Sequence, residues 1–238
     1  MRNRLLIKVC GMRDADNIRT VETLGIDWMG FIFWPGSSRY VAQRPAYLPA
    51  KARRVGVFVD ADIADVMARQ KEYALDIIQL HGRESPDYLR RLRRSIITSA
   101  ATETADGGSP AINAPAAPET TDGGFPAIIK AFSIATAADL RQTAAYEDLA
   151  DCFLFDTKSP LVGGSGRQFD WSILSAYDGP TPFLLSGGIG PDDANRLQAF
   201  HHPCCIGIDL NSRFELAPGL KDAETLKTFI TKIKGKQL

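Results

Sequence analysis

The chain has 238 residues, 45% of them hydrophobic, and this composition predicts a folded domain with a large core rather than a disordered chain. The 28 Lys and Arg residues balance the 28 Asp and Glu residues, which argues against nucleic acid as a partner. There is neither a recognisable secretory leader nor an apolar run as long as a membrane span, so we expect a cytoplasmic protein that binds no membrane.

The four cysteines, Cys10, Cys152, Cys204 and Cys205, show no C-x-x-C spacing, and three of them lie in apolar runs. This pattern argues against a zinc site and favours reduced thiols in the cytosol. We expect neither a metal nor another cofactor.

Eight short apolar runs recur along the chain. They occupy residues 5–10, 28–34, 55–59, 76–80, 128–132, 152–155, 183–186 and 204–210. Most of these runs are continuous rather than alternating with polar residues, which is typical of parallel strands that are buried on both faces.

Segments with helical signals separate these predicted strands. Asp14 is a candidate N-cap after the first strand, Gly25 ends the helix that follows, and Pro86 opens another helix after the fourth strand. Repeated strand–helix units predict an α/β fold, a single (β/α)8 TIM barrel formed by residues 1–238. A doubly wound sheet is the alternative, but its glycine fingerprint usually follows the first strand, whereas the glycine-rich loops of this chain come late.

One interval, between the fourth and fifth strands, is much longer than the others. Its excess is an insert at residues 95–127, rich in Ala, Pro, Gly and Thr, in which ETADGGSPAI (103–112) recurs as ETTDGGFPAI (119–128). We predict a flexible loop there. Because a helix-to-strand loop opens on the bottom of a barrel, away from its catalytic face, deletion of residues 99–115 is expected to leave turnover nearly unchanged.

The loops that follow the strands would form the catalytic face of such a barrel. Strand one ends at Cys10, which is either a reactive group at that face or a buried structural thiol. After strands seven and eight, the loops with Gly187 and Gly188 and with Asn211 and Ser212 lie where barrels commonly bind phosphate. The alternative for the glycines is that they only make tight turns.

Short motifs lie at most of the strand ends. They are KVCGM (8–12), SRYV (38–41), VGVF (55–58), QLHG (79–82), FDT (155–157), GGSG (163–166), FDW (169–171), SGGI (186–189), GID (207–209) and PGLKD (218–222). In this order and at these junctions they resemble the phosphoribosylanthranilate isomerases of tryptophan biosynthesis, through nearly the whole chain. The chain departs from that family at the insert and at residues 211–215 (NSRFE), where the family usually has SSGVE. The loss of that glycine puts the phosphate contacts of this loop in question, and Arg213 adds a cation there.

The resemblance implies an isomerase that carries out the Amadori rearrangement of N-(5-phospho-β-D-ribosyl)anthranilate to 1-(2-carboxyphenylamino)-1-deoxy-D-ribulose 5-phosphate. Such a reaction needs an acid for the ring oxygen and a base for the C2 proton. By the family pattern Asp156 is the general acid and Cys10 the general base. A thiol base needs positive surroundings to lower its pKa, and Lys8 lies two residues away on the same face of the strand.

The resemblance also assigns the groups that bind the substrate. Arg39 is expected to bind the anthranilate carboxylate, because a guanidinium meets a carboxylate with two parallel hydrogen bonds. Asp209 is expected to accept a hydrogen bond from the anthranilate amine, and Gln79 and His81 to line the pocket. The structural alternatives are an exposed loop arginine, a strand-end cap and a packed histidine.

Three other functions fit the sequence less well. A pentose-phosphate epimerase needs metal-ligating His and Asp residues at several strand ends, and the chain has only three histidines. An indole-glycerol-phosphate synthase works with lysines in the mouth, which Cys10 and Asp156 match less well. A catalytically silent phosphate-binding barrel is the alternative from a different class. The expected partner is a small phosphosugar substrate, bound by a monomer or a homodimer.

Overall fold

The strands close into a barrel. A computed structural model of the chain describes residues 4–105, 126–156 and 170–235, without the side chains of residues 100–105. Its eight parallel strands pair in chain order, and β8 pairs with β1. Their bounds are β1 Leu6–Val9, β2 Trp28–Ile32, β3 Arg53–Phe58, β4 Ile77–Leu80, β5 Ala127–Ser133, β6 Cys152–Asp156, β7 Phe183–Ser186 and β8 Cys205–Leu210. The predicted (β/α)8 barrel is therefore confirmed, and each apolar run coincides with one strand.

The connections are less regular than the strands. The α-helices are α1 Ala15–Glu22, α2 Ile63–Tyr73, α3 Pro86–Ala105, α4 Ala194–Ala199 and α5 Ala223–Lys234. Short 3-10 helices lie at Ala137–Tyr146, Trp171–Ala176, Pro191–Asp193 and Ser212–Phe214. Residues 33–52, between β2 and β3, form turns and bends without a helix. None of the helices in the described part of the chain combines the length and apolarity needed to cross a bilayer.

Local signals explain where α1 begins. The Asp14 side chain accepts a hydrogen bond from the backbone N–H of Asn17 at 2.8 Å, as expected of an N-cap. Ile18 and Val21 are buried on one face of this helix, and Gly25 follows its end with a positive φ of 68°. The helix predicted from Asp14 to Gly25 is thus present.

The predicted insert differs from the structure at its first residues. α3 buries Leu89, Leu92 and Ile96 and continues to Ala105, so residues 95–105 are helical rather than part of a loop. Residues 106–125 lie outside the described residues. β5 begins at Ala127, the last residue of the predicted insert.

Alternation along the strands divides the interior into two layers. Inward-facing residues fill the barrel with apolar groups, namely Leu6, Trp28, Val55, Val57, Ile77, Ile129, Cys152, Leu154 and Leu184. The residues of opposite parity pack between the strands and the helices, as Ile7, Ile78 and Ile208 do. Nearer the carboxyl ends of the strands the inward positions become polar, and this polar end is the mouth of the barrel.

A small hairpin covers part of the mouth after strand eight. It consists of β9 Glu215–Ala217 and β10 Leu220–Lys221, which pair antiparallel. We call residues 215–221 the mouth hairpin. Directly after it, the Asp222 side chain caps α5 by accepting from the backbone N–H of Thr225 at 3.0 Å.

Candidate active site

A buried ion pair lies at the centre of the mouth. Lys8 and Asp209 are register partners on β1 and β8, and Lys8 Nζ donates to Asp209 Oδ1 at 2.8 Å. Ser186 Oγ lies 3.3 Å from the other oxygen, Oδ2. Burial is the largest single effect and lowers the pKa of Lys8, but the charges and hydrogen bonds of Asp209 and Cys10 together outweigh it, so the pKa lies above its ordinary value. Lys8 is therefore a fixed ammonium group inside the barrel.

Cys10 follows β1 beside this pair. Its backbone N–H donates to the carbonyl of Leu210 at 2.9 Å, and the residue is only 3% exposed. The thiol occupies space that Gly30 leaves on the neighbouring strand, because a Cβ at Gly30 would lie 2.7 Å from Cys10 Sγ. The sequence-predicted base is thus at the mouth, and it is fully packed.

The ionisation of Cys10 differs from the expectation. Burial raises the pKa of the thiol, and although the ammonium groups of Lys8 and Lys221 lower it, the net shift is upward. Asp209 adds to the rise through its negative charge. The lowered pKa that positive surroundings were expected to produce is not found.

A second polar group lies at the ends of β4 and β6. His81 Nε2 is 3.5 Å from Asp156 Oδ2, and Gln79 Nε2 is 3.4 Å from His81 Nδ1. His81 and Asp156 are partly exposed, whereas Gln79 is buried. The amide oxygen of Gln79 has no hydrogen-bond partner within the described part of the chain. The structure therefore brings together three of the predicted site residues, while the GGSG motif at 163–166 lies outside the described residues.

Arg39 reaches the mouth from the loop after β2 and binds Glu215 of the mouth hairpin. Its Nε lies 2.8 and 3.0 Å from the two carboxylate oxygens, and its Nη2 lies 2.6 Å from Oε2. Gly11 makes this approach possible, because a Cβ there would lie 2.7 Å from Arg39 Cδ. Arg39 is thus not a free loop arginine, and Glu215 is a site residue that sequence reasoning missed.

Lys221 is the second residue that sequence reasoning missed. Its Nζ donates to Asn211 Oδ1 at 2.8 Å and to Glu215 Oε1 at 2.6 Å, and its side chain is fully buried. The signal was present in the PGLKD motif, where a lysine precedes the N-cap of α5. Lys221 thus holds the side-chain amide of Asn211 by its oxygen.

The predicted phosphate loops lie at the ends of β7 and β8. Gly187 and Gly188 both have positive φ angles, 86° and 68°, and a Cβ at Gly188 would meet nothing within 4 Å. Ser212 begins the short 3-10 helix after β8 and is exposed. In that helix the Arg213 side chain lies beside the loop after β7. A Cβ built at Gly190 would be 3.2 Å from Arg213 Nε. The two loops therefore meet, with a guanidinium beside them.

A search of the described residues for groups of three or more His, Cys, Asp or Glu side chains arranged to hold a metal ion finds none.

The chain is similar to known proteins along nearly its whole length. A family model for N-(5'phosphoribosyl)anthranilate isomerase matches residues 7–110 and 116–232. The N-(5'-phosphoribosyl)anthranilate isomerase of Phocaeicola vulgatus is 44% identical over 232 residues, which cover 98% of this chain and 99% of that protein. The phosphoribosyl anthranilate isomerase of Thermus thermophilus superposes with a TM-score of 0.70 at 26% identity, over 97% of this chain and 99% of its own.

A further solved structure carries a ligand. It is a phosphoribosyl anthranilate isomerase in complex with reduced 1-(o-carboxyphenylamino)-1-deoxyribulose 5-phosphate, with a TM-score of 0.72, 25% identity, and coverage of 98% of this chain and 100% of that chain. With a family model that spans almost the whole chain and a relative of such high identity, this chain belongs to the N-(5'-phosphoribosyl)anthranilate isomerase family.

Proposed function

We propose that this chain catalyses the Amadori rearrangement of N-(5-phospho-β-D-ribosyl)anthranilate to the corresponding 1-deoxyribulose 5-phosphate, a step of tryptophan biosynthesis. The observation that carries the proposal is the placement of Cys10 and Asp156 in one mouth. Cys10 lies at the carboxyl end of β1 and Asp156 at that of β6, and β7 and β8 lie between these two strands. The relative that binds a reduced product supports a phosphosugar as the ligand.

Asp156 is the general acid. It gives a proton to the ribose ring oxygen, the bond from that oxygen to C1 breaks, and the nitrogen lone pair forms an iminium at C1. His81 supports this role, because its Nε2 lies 3.5 Å from Asp156 Oδ2. The imidazole is thus within reach of the carboxyl group at the end of β6.

Cys10 is the general base. It removes the proton from C2, the electrons of that bond neutralise the iminium, and the resulting enol becomes the ketone when C1 is protonated. Because the pKa of its thiol is raised, the thiolate is the minor form at neutral pH, and it is a correspondingly strong base. Lys8 and Lys221 provide the positive charge that stabilises this thiolate.

The remaining predicted residues bind the two ends of the substrate. Arg39 binds the anthranilate carboxylate, and Asp209 accepts a hydrogen bond from the anthranilate amine with lone pairs that Lys8 and Ser186 leave. Gln79 and His81 line the pocket. The phosphate binds at Gly187, Gly188, Asn211 and Ser212, where the two glycines carry no side chain, the space beside Gly188 is open and Arg213 adds charge.

The setting of the reaction follows from its chemistry. The described cysteines are all free thiols, as expected of the reducing cytoplasm. We propose a cytoplasmic enzyme that works as a monomer or a homodimer on a small phosphosugar.

The test is a direct assay with phosphoribosylanthranilate. We expect the anthranilate fluorescence of the substrate to fall when the protein is added, and Asp156→Asn, the control variant, to lose most of this activity. If fluorescence does not fall while a phosphosugar analogue still binds, the protein is a silent phosphate-binding barrel and the proposal is wrong.

A further inference from the structure

Among the described residues, the guanidinium of Arg39 is held by one edge only. Glu215 takes Nε and Nη2, and the edge formed by the two terminal nitrogens, Nη1 and Nη2, is the one on which a second carboxylate can form two parallel bonds. The Arg39 side chain is 21% exposed, whereas that of Glu215 is 4% exposed. The guanidinium therefore lies between a buried carboxylate and the open mouth.

Glu215 is itself fixed and ionised. Lys221 Nζ and the backbone N–H of Gly219 both donate to its Oε1, at 2.6 and 3.2 Å. Burial alone would raise the pKa of this carboxyl, but the hydrogen bonds from Arg39 and Lys221 hold it below its ordinary value. One carboxylate shared by two cations leaves a net positive charge, so the cluster of Arg39, Glu215 and Lys221 attracts an anion.

The mouth hairpin is anchored to the start of α1. The Asn17 side chain donates to the backbone carbonyl of Lys221 at 2.9 Å and accepts from its backbone N–H at 2.8 Å. Arg13 donates to the carbonyls of Ser38 and Pro218 at 3.1 and 2.9 Å. Arg13 thus joins the hairpin to the loop that carries Arg39, and the distance between Arg39 and Glu215 is set from both sides.

From this arrangement we infer that Glu215 and Lys221 are positioning residues, which hold Arg39 so that its terminal edge faces the carboxylate of the substrate's aromatic ring. The inference rests on the proposed function, because Arg39 must bind that carboxylate. Lys221 acts through Glu215 and also orients Asn211. Neither residue needs to touch the substrate.

The experiment measures how much of the binding energy depends on the ring carboxylate. Wild type and Glu215→Gln are titrated by calorimetry with reduced 1-(o-carboxyphenylamino)-1-deoxyribulose 5-phosphate and with the same compound without the carboxylate. We expect Glu215→Gln to weaken binding of the carboxylated compound about 10- to 100-fold, since misplacing a binding group by about 1 Å has effects of this order. Binding of the compound without the carboxylate should change little, and in turnover KM should rise more than kcat falls.

Glu84→Gln is the matched control. Glu84 is also a buried carboxylate that binds a buried lysine, Lys130, and accepts from a glycine N–H, that of Gly82, but it lies in the loop after β4 and not in the mouth hairpin. We expect this variant to bind both compounds as wild type does. If Glu215→Gln weakens both compounds equally, or binds the carboxylated one as tightly as wild type, the positioning role is overturned.

Two further variants complete the design. Arg39→Ala tests the underlying assignment: if wild type binds both compounds equally and Arg39→Ala changes neither, the carboxylate site is wrong and the inference falls with it. If Arg39→Ala loses the preference for the carboxylated compound but Glu215→Gln keeps it, only the positioning role is overturned. Should Glu215→Gln not fold, Lys221→Gln carries the same test, with a smaller loss of preference expected and an unchanged preference contradicting the inference.

Discussion

Two buried lysine–glutamate pairs in this protein have similar chemistry and different surroundings. In the mouth, Lys221 Nζ lies 2.6 Å from Glu215, with side chains 0% and 4% exposed. In the outer layer, Lys130 Nζ lies 3.1 Å from Glu84, with side chains 4% and 1% exposed. Burial lowers the pKa of both lysines. What separates the pairs is the identity of their other partners.

In the outer pair, the remaining hydrogen-bond partners of both side chains are backbone groups. Lys130 Nζ also contacts the carbonyls of Gly82 and Ala131 at 2.8 and 3.1 Å, and Glu84 accepts from the backbone N–H groups of Asp60 and Gly82. These contacts join the loops after β3 and β4 to β5. In the mouth pair, the carboxylate of Glu215 instead accepts hydrogen bonds from Arg39 as well. A buried lysine–glutamate pair whose other partners are backbone groups thus fixes a loop, whereas we propose that the pair whose other partner is a guanidinium orients a ligand-binding group.

The largest difference between the two regions should appear in turnover. Cys10→Ala and Asp156→Asn should each lower kcat by a factor on the order of 10² to 10⁴, the usual effect of positioned acid and base groups. Lys130→Met should leave kcat of the folded protein unchanged. Fluorescence assays of the three variants measure these kcat values directly. A collapse of the fold in Cys10→Ala would instead indicate a structural thiol.

Stability should show the opposite ranking. Lys130→Met leaves the Glu84 carboxylate buried without its cation, which costs about 3–5 kcal/mol of the free energy of unfolding. In Cys10→Ala only a thiol is lost, so its free energy of unfolding should change by less. Denaturant titrations of both variants check the ranking, and a Lys130→Met protein as stable as wild type would contradict it.

The charge around Cys10 can be changed in both directions. Lys8→Met removes a cation that lowers the pKa of Cys10 and leaves Asp209 uncompensated, so the pKa should rise further. Asp209→Asn removes an anion that raises it, so the pKa should fall. Because the thiolate is the reactive form, the rate of Cys10 alkylation by iodoacetamide should rise at higher pH in Lys8→Met and at lower pH in Asp209→Asn.

Those two alkylation profiles need a control for the charges nearby. Besides Lys8 and Asp209, the charged groups that act on the thiol are Lys221 and Arg39, which neither variant changes. Lys130→Met, which removes a buried lysine from the outer layer, should leave the profile where wild type has it. Profiles of Lys8→Met and Asp209→Asn that shift in the same direction would contradict this electrostatic account.

The smallest effect is expected in the insert. We propose that residues 1–238 form one domain and that the insert takes no part in catalysis, since α3 ends and β5 begins at the bottom of the barrel. Deleting residues 106–121 removes one period of the duplicated sequence and leaves α3 whole. Steady-state kcat and KM should both stay close to wild type, and a large fall in either would contradict the proposal.

The sequence was sufficient for the barrel because buried parallel strands leave continuous apolar runs. It did not predict that the helix after β5, Ala137–Tyr146, is a 3-10 helix. It also did not predict that α3 continues through residues whose composition is typical of a loop. Lys130 was present in the middle of an apolar run. Its pairing with Glu84 is evident only from the structure, in which its side chain points away from the barrel interior.

The candidate site was predictable where a residue lies on a strand and less so where contacts depend on loops. Cys10 and Asp209 lie at predicted strand ends, and Lys8 pairs with Asp209 because the register of β1 and β8 brings them together. Glu215 reaches Arg39 only through the mouth hairpin, whose position depends on Asn17. The raised pKa of Cys10 depends on how deeply the thiol is buried, which spacing along the chain does not reveal.

The space at Gly30 also bears on how the enzyme tolerates oxidants. The thiolate attacks peroxide to give a sulfenic acid, and the sulfinic and sulfonic acids that further peroxide produces need room for two or three oxygen atoms on the sulfur. Cys10 Sγ fills the space that Gly30 leaves, and its raised pKa keeps the thiol protonated. The packing that raises the pKa of Cys10 therefore also protects the thiol from irreversible oxidation, and a side chain at position 30 would clash with the sulfur and disturb that packing.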